Sequence, residues 1–135
     1  MYALDTNSLV YFFKGTGRVA EHLLALPPTE IAIPAIVLFE LETGIAKSTQ
    51  PDKRRAQLDA MLRVVTVLPL GPEEARAAAL LRADLEARGT PIGPMDMLIA
   101  AHALSVPCEL VTNNESEFAR VPGLRVANWA QEDEA

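Results

Sequence analysis

The stretch Tyr2-Ala3-Leu4-Asp5-Thr6-Asn7-Ser8-Leu9-Val10-Tyr11-Phe12-Phe13 starts with three apolar residues, meets one acid, and then turns apolar again. Residues 2–4 suit a brief buried strand, and residues 9–13 suit the buried side of a following helix. Gly15 and Gly17 close that helix. The same unit recurs along the chain. Residues 19–26 read as a helix stopped by Pro27-Pro28, 30–33 as a second strand, and 34–47 as a helix opened by Pro34. Residues 51–64 are amphipathic, 65–70 read as a third strand, and 72–88 as an Ala-rich helix that begins with Glu73-Glu74 and ends before Gly89. A helix from Pro94 to about residue 104, a strand at 109–112 and a short strand at 124–127 complete the series. Short strands separated by helices imply an α/β sandwich with a mainly parallel sheet of four to five strands. Ligands of such sheets bind beyond the C-terminal ends of the strands, where Asp5 and the segment after Thr112 fall.

The chain has 135 residues, 50% of them hydrophobic and 22% charged, which is the size and composition of one globular domain. We read 1–135 as a single domain with a flexible acidic tail at 130–135. The longest apolar stretch, residues 31–39, contains Pro34 and falls far short of the roughly 20 residues that span a bilayer. No basic start precedes a long apolar run, so a secretory signal is not expected and a cytoplasmic location is. Cys108 stands alone, which rules out an internal disulfide and suits a small core residue. The net charge of -6 argues against a nucleic-acid partner at first sight. Three acids, however, sit in the tail (Glu132, Asp133 and Glu134), and four more stand where a charge is normally avoided. With these set aside the surface is close to neutral, and divalent ions at the site would attract phosphate.

Those four are Asp5, Glu40, Asp96 and Glu117, each in an apolar or small-residue setting. Acids converging on one cavity repel one another unless a cation holds them, and the natural cation is a hard divalent metal bound through oxygen. Asp5 admits three readings. It suits a helix N-cap, a metal ligand with Thr6 and Asn7 orienting it, or a phosphoryl-transfer aspartate, although Asn7 replaces the second acid that the last would need. Glu40 lies on the margin of an apolar stripe through Ile36, Val37, Leu41 and Ile45, where it needs either a cation or a salt bridge. Gly44, one turn on, removes side-chain bulk beside it and leaves room for an ion or substrate. Asp96 is either a metal ligand or an acid that complements the dipole of its helix. Thr112 and Asn114 offer polar groups at a strand end, and Glu117 and Asn114 compete as a fourth ligand. His22 and His102 are unpaired structural residues, which disfavours zinc and favours Mg²⁺ or Mn²⁺. Lys14 and Arg88 are candidate RNA contacts, with an exposed charge of no role as the alternative; the basic triplet at residues 53–55 reads as a solvated face.

Together, Leu4-Asp5-Thr6-Asn7, Glu40-Leu41-Glu42-Thr43-Gly44, Gly89-Thr90-Pro91-Ile92-Gly93-Pro94-Met95-Asp96 leading into Leu98-Ile99-Ala100-Ala101-His102-Ala103, and Val111-Thr112-Asn113-Asn114 with Glu117-Phe118 resemble PIN-domain ribonucleases, more narrowly VapC toxins of VapBC toxin-antitoxin modules. The resemblance covers nearly the whole chain. It implies a PIN-like three-layer α/β/α sandwich and a Mg²⁺- or Mn²⁺-dependent endoribonuclease that hydrolyses tRNA or rRNA and inhibits translation until its antitoxin binds. It implies Asp5, Glu40 and Asp96 as the metal-binding triad. Asn114 occupies a place where the family often has a fourth Asp, and Glu117 is the acid that compensates. A VapB-type antitoxin, a homodimer and a higher toxin-antitoxin assembly on operator DNA are implied partners, with no membrane. A PIN-like RNA- or protein-binding module without catalysis is the alternative, and a phosphoacceptor domain lacks its adjacent acid pair.

Overall fold

In the computed structural model the chain runs β1 (Tyr2–Leu4), α1 (Thr6–Lys14), α2 (Val19–Leu24), a 3-10 turn (Pro28–Glu30), β2 (Ile31–Pro34), α3 (Ala35–Lys47), α4 (Pro51–Leu62), β3 (Thr66–Leu68), α5 (Pro72–Ala87), α6 (Pro94–Ser105), β4 (Glu109–Val111), α7 (Glu115–Phe118) and β5 (Val126–Ala127). Residues 1–15, 17–106 and 108–130 are described, so all but the first residue of the acidic tail expected over 130–135 lies outside them. The strands form one sheet in the order β3-β2-β1-β4-β5, with every neighbouring pair parallel. Burial on both faces explains why the strands are continuous apolar runs, with Leu4, Ile33 and Leu110 all at 0% exposure. Right-handed crossovers put the helices that follow β1 and β2 on one face and those that lead to β4 and β5 on the other. Within each group the packing follows this, with α1 on α2 and α3, α3 on α4, and α5 on α6, and α3 also meets α6.

The chain leaves β1 to build one half of the sheet and returns through β4 to build the other, so the order reverses between β1 and β4. In the register of that pair Leu4 is level with Val111, and Asp5 and Thr112 leave the sheet side by side. The Asp5 N–H still bonds the Val111 carbonyl at 3.1 Å, and the Thr112 N–H bonds the Ala127 carbonyl at 2.9 Å. The two strand ends therefore hold these side chains rigidly at the crevice where parallel sheets bind ligands.

Several boundaries differ from the sequence reading. The sheet is wholly parallel and has five strands. The helix expected over 19–26 ends at Leu24, since Pro27 and Pro28 tighten the chain into the 3-10 turn before β2 begins at Ile31. Pro34 closes β2 in an extended conformation (φ -59, ψ 143) and α3 starts one residue later. The helix expected over 51–64 stops at Leu62, and β3 keeps only three of the residues expected over 65–70. The α7 turn was not foreseen; Phe118, 1% exposed, anchors it in the core.

Candidate active site

Asp5 is the N-cap of α1, its Oδ1 accepting the Ser8 N–H at 2.9 Å, and it is 5% exposed. Burial raises its pKa, against hydrogen bonds from Thr112 and Ser8 that lower it. The Thr112 hydroxyl, fully buried, also accepts the Asn114 N–H at 3.0 Å, which ties the turn after β4 to Asp5. Capping and ligation are thus compatible for Asp5, since a single Oδ1 bond makes the cap.

Glu40 projects from the middle of α3 and is half-buried. Thr6, expected to orient Asp5, instead donates its hydroxyl to Glu40 Oε1 at 2.8 Å. No Lys or Arg pairs with Glu40 among the described residues, which removes the salt-bridge alternative. Asn7 points to solvent from the first turn of α1 and makes no hydrogen bond among the described residues.

Asp96 sits in the first turn of α6, and Glu117 reaches it from α7. Glu117 Oε1 accepts the Gly93 N–H at 2.8 Å and its Oε2 accepts the Asn114 side-chain N–H at 2.6 Å. A Cβ placed on Gly93 would lie 3.7 Å from Glu117 Oε1 and 3.8 Å from Asp96 Oδ2, so the two carboxylates meet beside this glycine. Burial and then the negative charges of Glu117, Asp5 and Glu40 push the Asp96 carboxyl up to about 7. Glu117 is held below its usual range, first by the Gly93 N–H. The pair therefore favours its proton on Asp96, since Glu117 has the better hydrogen-bond donors.

Asn114 thus serves Glu117 and does not replace it in facing Asp96. Two further contributors were not anticipated from the sequence. The Gly93 N–H is one, and Arg120 is the other: its guanidinium bonds the Pro91 carbonyl at 2.8 Å and favours the anionic form of Glu117. A lone Arg after Ala119 gives no pattern by which to find it. Of the expected RNA contacts, Lys14 lines a groove with Thr6 and Glu40, whereas Arg88 is paired with Asp84 at 3.1 Å on the surface of α5. His22 stacks on Trp129, His102 is 1% exposed, and buried Cys108 lies against the Ala103 carbonyl, so none of the three stands among the acids.

Among the described residues no three acidic, His or Cys side chains stand close enough together to hold a metal ion as they are placed. The four carboxylates nevertheless share one field, which a proton on Asp96 relieves in part, and an all-oxygen donor set of this kind suits a hard divalent cation in place of that proton.

The sequence matches the PIN domain family over residues 2–124. The chain belongs to the VapC family of PIN domains. It is 37% identical over 131 residues to "Ribonuclease VapC2" of Rickettsia felis, covering 96% of this chain and 98% of the relative. It is 34% identical over 128 residues to "tRNA(fMet)-specific endonuclease VapC" of Salmonella typhimurium, covering 95% and 97%. Among solved structures, VapBC2 from Rickettsia felis bound to a DNA fragment from its promoter superposes with a TM-score of 0.86 at 37% identity, covering 95% of this chain and 98% of that one. No helix of this PIN domain among the described residues is long and apolar enough to cross a membrane.

The raised Asp96 pKa makes the metal-free PIN domain pH-sensitive in a defined direction. The folded state holds this proton more tightly than the unfolded state, whose value is near 3.8. The stabilisation is complete below that value and is lost as pH rises through about 7. With EDTA present, the melting temperature is expected to rise by a few degrees between about pH 8 and pH 5.5, and Asp96→Asn is expected to remove most of that rise, a screened effect of ~1 kcal/mol. A melting series on both proteins checks it; a wild-type temperature that falls over this interval would contradict the shared-field geometry.

Proposed function

We propose that this VapC-family protein is a Mg²⁺- or Mn²⁺-dependent endoribonuclease, the toxin of a toxin-antitoxin module, and that Asp5, Glu40 and Asp96 hold the metal with Glu117 as the fourth acid. The observation that carries the reading is that Asp96 and Glu117 meet beside Gly93 at the β1/β4 crevice, within the electrostatic reach of Asp5 and Glu40. The ribonuclease names of its relatives support the same chemistry.

Each side chain has a definable task. Ser8 and Thr112 fix Asp5, Thr6 fixes Glu40, and Gly93 with Asn114 fixes Glu117, so the acids are aimed before a cation arrives. A bound Mg²⁺ or Mn²⁺ supplies Lewis-acid stabilisation of phosphate charge and lowers the pKa of water at the site. Asp96 must release its proton to ligate, so metal binding, and activity at limiting metal, should decline as pH falls. Single-stranded or looped RNA suits the site, because its phosphates reach a confined cluster more readily than those of a duplex. The proposed substrate is tRNA, as named for the Salmonella typhimurium relative, or rRNA, and the proposed assembly is a homodimer with a VapB-type antitoxin that binds operator DNA, in keeping with the promoter-bound VapBC2 complex.

Purified protein incubated with total RNA tests this. Discrete cleavage is expected with Mg²⁺ or Mn²⁺, its loss in EDTA, and its return when the metal is restored. Cleavage that is indifferent to EDTA would overturn the metal-dependent reading.

A further inference from the structure

Gly44 has no local reason to be glycine. It lies inside α3, it is not among the glycines with positive φ, and a Cβ built on it would meet nothing within 4 Å. Glycine within a helix is destabilising relative to alanine, so neither backbone geometry nor close packing accounts for it. What the missing side chain leaves is space. Gly44 borders a groove of about 280 Å³ between α1, α3 and α4 whose lining includes Thr6 and Glu40. Phe13, Ile45 and Leu58 supply apolar lining, and Lys14 and Arg54 are the cations that line it.

Among the described residues neither cation pairs with a carboxylate, a property they share with Lys47 and Lys53 but not with four of the arginines. Arg18, Arg55, Arg82 and Arg88 are each paired with a carboxylate, Arg55 with Glu42 and Asp59. Lys14 makes no ion pair among the described residues, and Arg54 bonds only the neutral amide of Gln57, at 2.9 Å. The basic triplet at 53–55 therefore divides: Arg55 is neutralised on the surface, while Arg54 keeps its charge at the groove. In a chain of net charge -6, two uncompensated cations beside an apolar slot that Glu40 also lines favour a ligand with an anionic backbone and a flat apolar face.

We propose that this groove is a nucleotide subsite. It takes an unpaired base of the RNA next to the cut phosphate, with the base against Phe13 over Gly44 and the adjoining phosphates on Lys14 and Arg54. The inference rests on the ribonuclease reading above and adds where the substrate lies.

The test uses Gly44→Leu, which fills the slot, and the double variant Lys14→Ala/Arg54→Ala, which removes its cations. Wild type and both variants are compared for cleavage of total RNA by mapping of 5′ ends, for the salt dependence of the rate at limiting RNA, and for melting with and without Mn²⁺. Both variants should melt like wild type or higher and keep the Mn²⁺ shift. Gly44→Leu should cut at the wild-type sites at least about tenfold more slowly, the scale of one lost base stack. The double variant should lose about tenfold and flatten the logarithmic salt slope by roughly 1.4, the value for two phosphate contacts on a single strand. If wild type cuts no RNA, the ribonuclease reading itself fails. If wild type cuts and both folded variants cut equally well with an unchanged salt slope, the subsite is wrong while the acidic site stands. If Gly44→Leu cuts normally but no longer co-purifies with a co-expressed VapB-type antitoxin, the groove belongs to a protein partner and the proposal falls.

Discussion

Asp5→Asn is expected to lower RNA cleavage by about three orders of magnitude or more while the protein remains folded. The substitution keeps the shape of the side chain and its Oδ1, so the bond from the Ser8 N–H that caps α1 survives; Asn and Asp cap helices about equally well. What is lost is the negative charge at the most buried position of the cluster, 5% exposed. Because burial already opposes that charge in the metal-free protein, stability should stay level or rise. A loss of activity together with an unchanged melting temperature would separate the chemical role from the structural one. A variant that melts like wild type and cuts within tenfold of it would mean that Asp5 is only a helix cap.

Phe118→Ala is expected to cost ~3–5 kcal/mol of stability, the range for emptying a buried aromatic site, and to lower the melting temperature by roughly 10 °C or more. Phe118 is 1% exposed within the main core and is the one buried residue of α7, a helix of only 4 residues. Its ring is therefore what holds Glu117, one position earlier, against Gly93 and Asp96. Cleavage should fall further than the loss of folded protein explains, because Glu117 is released along with the core contact. Phe118→Leu, which keeps most of the apolar volume, should recover most of both properties. Denaturant melts and cleavage at a temperature where each variant is folded distinguish the two effects. A Phe118→Ala protein of wild-type stability would contradict the packing described for this turn.

The parts of this molecule that the sequence makes legible are those written in local punctuation. Pro51, Pro72 and Pro94 each stand at the first residue of a helix, and Gly15 closes α1 in the left-handed conformation that suits glycine. Asp5 and Thr112 could be placed at one edge because each directly follows a short apolar run. The α7 turn was hidden for the opposite reason. Its residues Glu115-Ser116-Glu117-Phe118 carry one apolar side chain, too few to show a helical period, and only the tertiary contact of Phe118 makes it fold. The partners of the acids were hidden as well. Thr6 is adjacent to Asp5 in sequence yet its hydroxyl points to Glu40, 34 residues on, and Glu117 is held by a backbone N–H 24 residues before it. Spacing shows which residues carry charge, but the direction of a hydroxyl or a main-chain donor is decided by how α1, α3 and α6 converge at the sheet edge. The division of the basic triplet at 53–55 follows the same rule, since helical rotation sends Arg55 to Glu42 and leaves Arg54 at the groove.

The most direct test of the central claim, that these carboxylates form a metal-dependent RNA-cutting site, is to induce the wild-type chain and Asp5→Asn in cells and map RNA 5′ ends in both. The expected result is growth arrest with a discrete set of new 5′ ends in the wild type, and neither in Asp5→Asn expressed to the same level. The same arrest and the same set of ends in both strains would contradict the claim.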